Sequence, residues 1–169
     1  MRMAVCGISI AILVACGSNT LLAQSTDEIK LIKVKASEVE KIIAQHKGKV
    51  VAVDVWADFC LPCKKAFPHL VQLHKQHAQA GLICISLSTD LDENYEGALA
   101  FLKKQGAVFS NYILWDSEEN KDKLQKTFAH VAVPIFHLYD REGKRVKTWD
   151  GNLKAEEIDK LVEELLKKK

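Results

Sequence analysis

Apolar positions along the chain switch between two periods. Val50-Val51-Ala52-Val53-Asp54-Val55-Trp56 is a short β-branched run interrupted by one acid. Such a run predicts a central strand, covered on both faces, in a parallel or mixed sheet. Leu82-Ile83-Cys84-Ile85-Ser86-Leu87 predicts a second strand of the same kind. Ile135 to Tyr139 predicts a third, and Asp140-Arg141-Glu142-Gly143 a hairpin turn that returns the chain antiparallel over 144–149. Residues 29–35 alternate in part and read as an edge strand whose lysines discourage further pairing. Tyr112 to Trp115 reads as a short strand or extended segment.

Helical spacing fills the intervals. Ser37, with Glu40 three residues on, matches a capping box, and Val39, Ile42 and Ile43 share a face before Gly48 ends that helix. Residues 60–78 predict a helix kinked at Pro68. Asp92 heads a helix over 93–105 closed by Gly106, and Ser117 heads one reaching about Ala129. Residues 155–168 are amphipathic, with Ile158, Leu161, Val162, Leu165 and Leu166 inward and lysines at the negative pole of the helix dipole. Strands alternating with helices, followed by a hairpin and a last helix, predict a three-layer α/β sandwich.

The first residues follow neither period. Ala4 to Ala15 is an almost unbroken apolar run behind a single charge, Arg2. It suits the core of an export signal and falls short of the ~20 apolar residues of a membrane-spanning helix. Leu13-Val14-Ala15-Cys16 resembles a bacterial lipobox, in which Cys16 is lipidated; cleavage after Ala23 is the competing reading. Residues 1–24 are therefore expected to be signal and tether, and 29–169 one domain. The expected location is periplasmic or otherwise extracytoplasmic, with a membrane tether if Cys16 carries lipid.

Composition narrows the function. The 169 residues fit one domain, and 48% hydrophobic with 27% charged residues is ordinary for a globular protein. A balance of 24 basic against 22 acidic residues gives +2, too even for a nucleic-acid binder acting by bulk charge. Five cysteines are too few for a disulfide-stapled framework but enough for a redox pair.

That pair is Cys60-Leu61-Pro62-Cys63, placed where a buried strand gives way to a helix. At a helix N-terminus, unpaired N–H groups and the positive dipole end stabilise a thiolate, the attacking species in disulfide exchange. Cys60 is expected to be the exposed nucleophile. Cys63, one turn on, is placed to resolve a mixed disulfide. Pro62 costs little near a first turn, and Lys64 adds positive charge. Asp58 works against the nucleophile or is a solvated loop charge. Asp54, among valines, should have a raised pKa.

Val53 to Lys64 resembles the active-site segment of the thioredoxin superfamily. Pro68 matches the family's helix-kinking proline, and Val133-Pro134 its cis-proline loop. About 70 residues separate Cys63 from Pro134, which resembles the exported TlpA/ResA-like branch with an extra helix and strand, here roughly Asp90 to Trp115. The resemblance implies a thioredoxin-like α/β/α sandwich with a central mixed sheet and that insertion between the second βα unit and the cis-proline strand. It implies a thiol–disulfide oxidoreductase, more in the reducing than the oxidising direction, with no cofactor. Asp54 would be base toward Cys63, Pro134 would shield the thiols from metals, and Trp56, Leu61, Pro62 and the backbone of Val133 would meet the substrate. Expected partners are protein thiols or disulfides and a membrane-bound or exported protein that recharges the pair.

The chain departs from the family pattern at Ser86, where a lysine commonly partners the buried acid, at Phe59 and at Ile135. Cys84 reads as a buried small hydrophobe. His69, His74 and His77 read as surface histidines, because one helix cannot easily wrap an ion with four ligands. His137 reads as a core histidine. Two rival functions use the same residues: a Cu(I)-binding metallochaperone with Cys60 and Cys63 as soft ligands, and a redox-inactive interaction module.

Overall fold

The expected strands assemble into one six-stranded mixed sheet, seen in a computed structural model that describes residues 28–90, 92–115 and 132–168. In chain order the elements are β1 (Ile32–Val34), α1 (Ala36–Ala44), β2 (Val50–Trp56), α2 (Leu61–His77), β3 (Leu82–Ser88), α3 (Tyr95–Gln105), β4 (Ser110–Leu114), β5 (Ile135–Tyr139), β6 (Arg145–Asp150) and α4 (Ala155–Lys167). The strand order is β1-β4-β3-β2-β5-β6. The first four of these run parallel; β5 is antiparallel to β2, and β6 to β5.

Period two explains the layers. Val50, Ala52 and Trp56 of β2 face α2, α3 and α4, while Val51, Val53 and Val55 face α1. Every residue of β2 is buried, as expected of a central strand. The segment after β3 carries α3 and β4, and β4 inserts between β3 and β1. The expected edge strand over 29–35 shortens at both ends to Ile32–Val34, which leaves β1 only three residues long, on the outside of the sheet.

Two helix starts differ from expectation. The cap of α1 is Lys35 rather than Ser37, because Glu38 reaches back to accept the Lys35 N–H at 2.8 Å, two residues ahead of the box Ser37 and Glu40 would form. Asp92 opens a 3-10 turn, and α3 begins after Asn94. The expected helix from Ser117 to Ala129 lies outside the described residues, as do residues 1–24 and Cys16.

The hairpin turn locks two distant ends. The Arg141 guanidinium donates to the carbonyls of Gly48 (2.7 Å), Lys168 (2.9 Å) and Leu166 (3.1 Å), the last two at the negative end of α4. Gly143 holds a φ of 80° in that turn, a conformation side chains rarely adopt. Among the described residues no helix is long and apolar enough to cross a membrane.

Candidate active site

Strand β2 delivers the chain to α2 through Ala57, Asp58, Phe59 and Cys60. Cys60 is the helix cap: its sulfur accepts the Cys63 N–H at 3.2 Å, and its carbonyl accepts the Lys64 N–H at 3.1 Å. Pro62 lies in the first turn, where an N–H has no intrahelical partner to lose. Cys60 and Cys63 form a disulfide, with S–S 2.10 Å and Cα–Cα 5.3 Å.

The two sulfurs are unequal. Cys63 is 1% exposed and Cys60 7%. Cys60 is thus less open than expected of a nucleophile. It lies on the floor of a wide depression of about 480 Å3 whose rim is Phe59, Leu61, Pro62, Thr89, Ala132 and Val133. Phe59 and Leu61 stand out from the surface, 74% and 70% exposed. Cys60 lines this depression and Cys63 does not.

Opposite the disulfide, the Val133–Pro134 bond is cis, as the resemblance implies. The Val133 carbonyl lies 3.7 Å from the Cys60 sulfur, so a reduced Cys60 thiol has an acceptor there. The Pro134 carbonyl is held by the Gly151 N–H at 2.9 Å.

Beneath the pair, Asp54 is 2% exposed, between Ser86 of β3 and Phe136 of β5 in register. Its Oδ1 accepts no hydrogen bond among the described residues. Burial pushes its carboxyl up to about 7. Ser86 gives no relief, because its hydroxyl donates to Asn111 Oδ1 at 2.8 Å. Cys84, on the same face of β3, is buried; its thiol is pushed up by burial and then by the charge of Asp54. That makes it a packing residue with little thiolate character.

Trp56 corrects an expectation. The resemblance implies a substrate contact there, but the side chain is wholly buried, its ring 4.9 Å from Phe101 and 5.3 Å from Phe67. As an even-numbered position of β2 it must face the α2 layer. Phe59, Thr89 and Ala132 hold the rim instead, and sequence reasoning missed them. Phe59 carried a signal: an aromatic in the strand-to-helix turn, outside the period of both elements.

Asp58 and Lys64, read separately in the sequence, meet at 2.6 Å. His69 pairs with Asp159 of α4 at 2.7 Å, and the His74 ring lies against Phe109. His69 and His74 thus help join elements rather than standing as free surface groups. His137 is fully buried with Nδ1 2.8 Å from Thr148 Oγ1; burial and then Arg145 lower its pKa to about 4.

A disulfide at a helix N-terminus, a cis-proline loop facing it and a buried carboxylate below define a dithiol redox centre of the thioredoxin type. The thioredoxin-like family model matches residues 48–145, more than half of the chain, and the chain belongs to that family. It is 29% identical over 126 residues to "Thiol-disulfide oxidoreductase ResA" of Bacillus thuringiensis subsp. konkukian, covering 75% of this chain and 66% of that protein's length. To "Sporulation thiol-disulfide oxidoreductase A" of Bacillus subtilis it is 26% identical, over 78% of this chain and 77% of the relative. The solution structure of a thiol:disulfide interchange protein from Bacteroides sp. superposes with a TM-score of 0.59 at 27% identity, over 73% of this chain and 76% of that one.

Proposed function

We propose that the protein is a thiol–disulfide oxidoreductase that exchanges its Cys60–Cys63 pair with protein thiols, working as a reductase. One observation carries the reading: the bridged pair caps a helix, with one sulfur at a surface depression and the other shielded. In the reducing direction the Cys60 thiolate attacks a substrate disulfide. A mixed disulfide forms and one substrate thiolate leaves. Cys63, losing its proton to Asp54, then attacks the Cys60 sulfur. The Cys60–Cys63 disulfide closes and the second substrate thiolate leaves, so two electrons pass to the substrate. A dithiol protein recharges the pair by the reverse exchange.

The remaining roles follow from position. A base near pH 7 suits removal of the Cys63 proton, and Asp54 has that value. The backbone of Val133 meets a substrate strand across the depression, with Leu61 and Pro62 on its rim and Pro134 behind it. We further infer export through residues 1–24 and lipid attachment at Cys16. A membrane-bound or exported dithiol partner would then do the recharging.

Insulin reduction driven by dithiothreitol tests the activity. The wild type should accelerate precipitation, Cys60→Ser should abolish the acceleration, and Cys63→Ser should accumulate mixed disulfide. Tight stoichiometric Cu(I) binding without turnover would favour the metallochaperone instead. Radiolabelled fatty acid incorporated by the wild type but not by Cys16→Ala would establish the lipid.

A further inference from the structure

The turn that carries Cys60 is tied to the segment after β3 by contacts that the exchange chemistry does not use. Asp90 is 1% exposed, and its Oδ2 accepts the Asp58 backbone N–H at 2.7 Å and the Ser88 hydroxyl at 2.7 Å. The Asp90 N–H in turn donates to Ser88 Oγ at 3.0 Å. Asp58 then spends its own carboxylate on Lys64, Oδ1 to Nζ at 2.6 Å, with both side chains about one-third exposed. The Lys64 ammonium also lies over the Phe101 ring of α3, 5.4 Å from its centroid. Gly97 of α3 closes the arrangement, for a Cβ there would meet Asp58 Oδ2 at 3.3 Å. Four pieces of chain therefore converge on one ion pair beside the reactive helix start.

Electrostatics gives this convergence a consequence. Lys64 follows Cys63 directly, and its N–H is bonded to the Cys60 carbonyl. A free ammonium there would stabilise a Cys60 thiolate and with it the reduced pair, which makes a disulfide more oxidising. A free Asp58 carboxylate would do the reverse. Paired with each other over α3, the two charges largely cancel. We propose that Asp90, Asp58 and Lys64 are positioning residues through which the helix inserted after β3 keeps the Cys60–Cys63 pair reducing: Asp90 pins the turn, and Asp58 holds the Lys64 charge toward α3. The inference deepens the exchange reading and rests on it for its biological meaning.

The test is the thiol–disulfide equilibrium of the whole protein with glutathione, read by alkylation of the reduced form, with no protein substrate present. Asp58→Asn should favour the reduced form by about two- to fivefold, tenfold being about 30 mV for this couple. Lys64→Gln should shift it by a similar factor the other way. The double variant should return to within about twofold of wild type, since both charges are gone. Raising the salt to 1 M should shrink the shift of each single variant, as screening requires. Gly97→Ala, which keeps every charge and suits a helix, should move the equilibrium in the direction of Asp58→Asn by a smaller factor. In an Asp90→Ala background, Asp58→Asn should lose its effect, while an Asp90→Asn background, which keeps an acceptor for the Asp58 N–H, should preserve it.

Single variants that shift the equilibrium in the same direction, or a double variant that stays well beyond twofold from wild type, would overturn the proposal. So would a Gly97→Ala protein with unchanged equilibrium. Insulin turnover is scored separately. Loss of turnover with the opposed shifts intact would sink the enzyme reading alone; normal turnover without them would sink only the inference.

Discussion

Two strand-to-helix junctions lie side by side in this molecule, at the ends of the parallel neighbours β2 and β3. The junction after β2 gives its helix cap to a sulfur, Cys60, and holds the reactive pair. The junction after β3 has no sulfur and passes through a 3-10 turn before α3. Each has a buried carboxylate nearby, and in each the Oδ1 has no hydrogen bond among the described residues, but the two differ in what else holds them. Asp54 lies within β2, its Oδ1 without a hydrogen bond among the described residues, its proton held to about pH 7. Asp90 lies just past β3 and takes two hydrogen bonds on one oxygen, which favour its charged form against the burial that raises its pKa. A poorly solvated acid is suited to exchanging a proton; a bonded one is suited to holding backbone in place.

The contrast is broken most strongly at Asp54. Asp54→Asn should slow resolution of the mixed disulfide by about ten- to hundredfold, measured by stopped-flow reduction of a peptide disulfide. The same change should alter stability with pH in a definite sense. The unfolded chain releases this proton near 3.8, the folded one near 7. Between those values the unfolded state binds fewer protons, so wild-type stability should fall as pH rises from about 4 to about 7 and level off above. Asp54→Asn should remove that slope. At pH 8 it should be more stable than wild type by up to about 4 kcal/mol, less the cost of burying the amide, in urea titrations at both ends of the range.

A smaller effect is expected at the rim of the depression. Phe59→Ser and Leu61→Ser should raise the KM for a protein disulfide severalfold while leaving stability within about 0.5 kcal/mol, because both side chains are exposed. The smallest belongs to Cys84 on the supporting strand. Cys84→Ala should leave the insulin rate within about twofold and cost about 1 kcal/mol of packing, measured by denaturant unfolding.

Local signals carried the reactive junction. A β-branched run, two cysteines three residues apart and a helical period after them need no information from elsewhere in the chain, and all stand where expected. The acid among valines announced its raised pKa in the same way. Ser37 shows the limit of such reading. Two competing caps differ by two residues, and the reach of Glu38 to the Lys35 N–H decided between them. Trp56 shows a second limit. Closeness in sequence to Cys60 suggested a substrate contact, while the strand's alternation sent the ring to Phe67 and Phe101.

The strand and helix periods, the sulfur pair at a helix start and the proline loop are each written in contiguous residues, so local chemistry specifies them. It took the folded chain to bring Asp90, 32 residues beyond Asp58, onto that residue's backbone and to lay Lys64 over Phe101. Those contacts depend on the parallel pairing of β2 with β3 and on how α3 packs beside α2. Pairing and packing are long-range choices, and no local pattern of apolar and polar residues encodes which charged side chains they bring together.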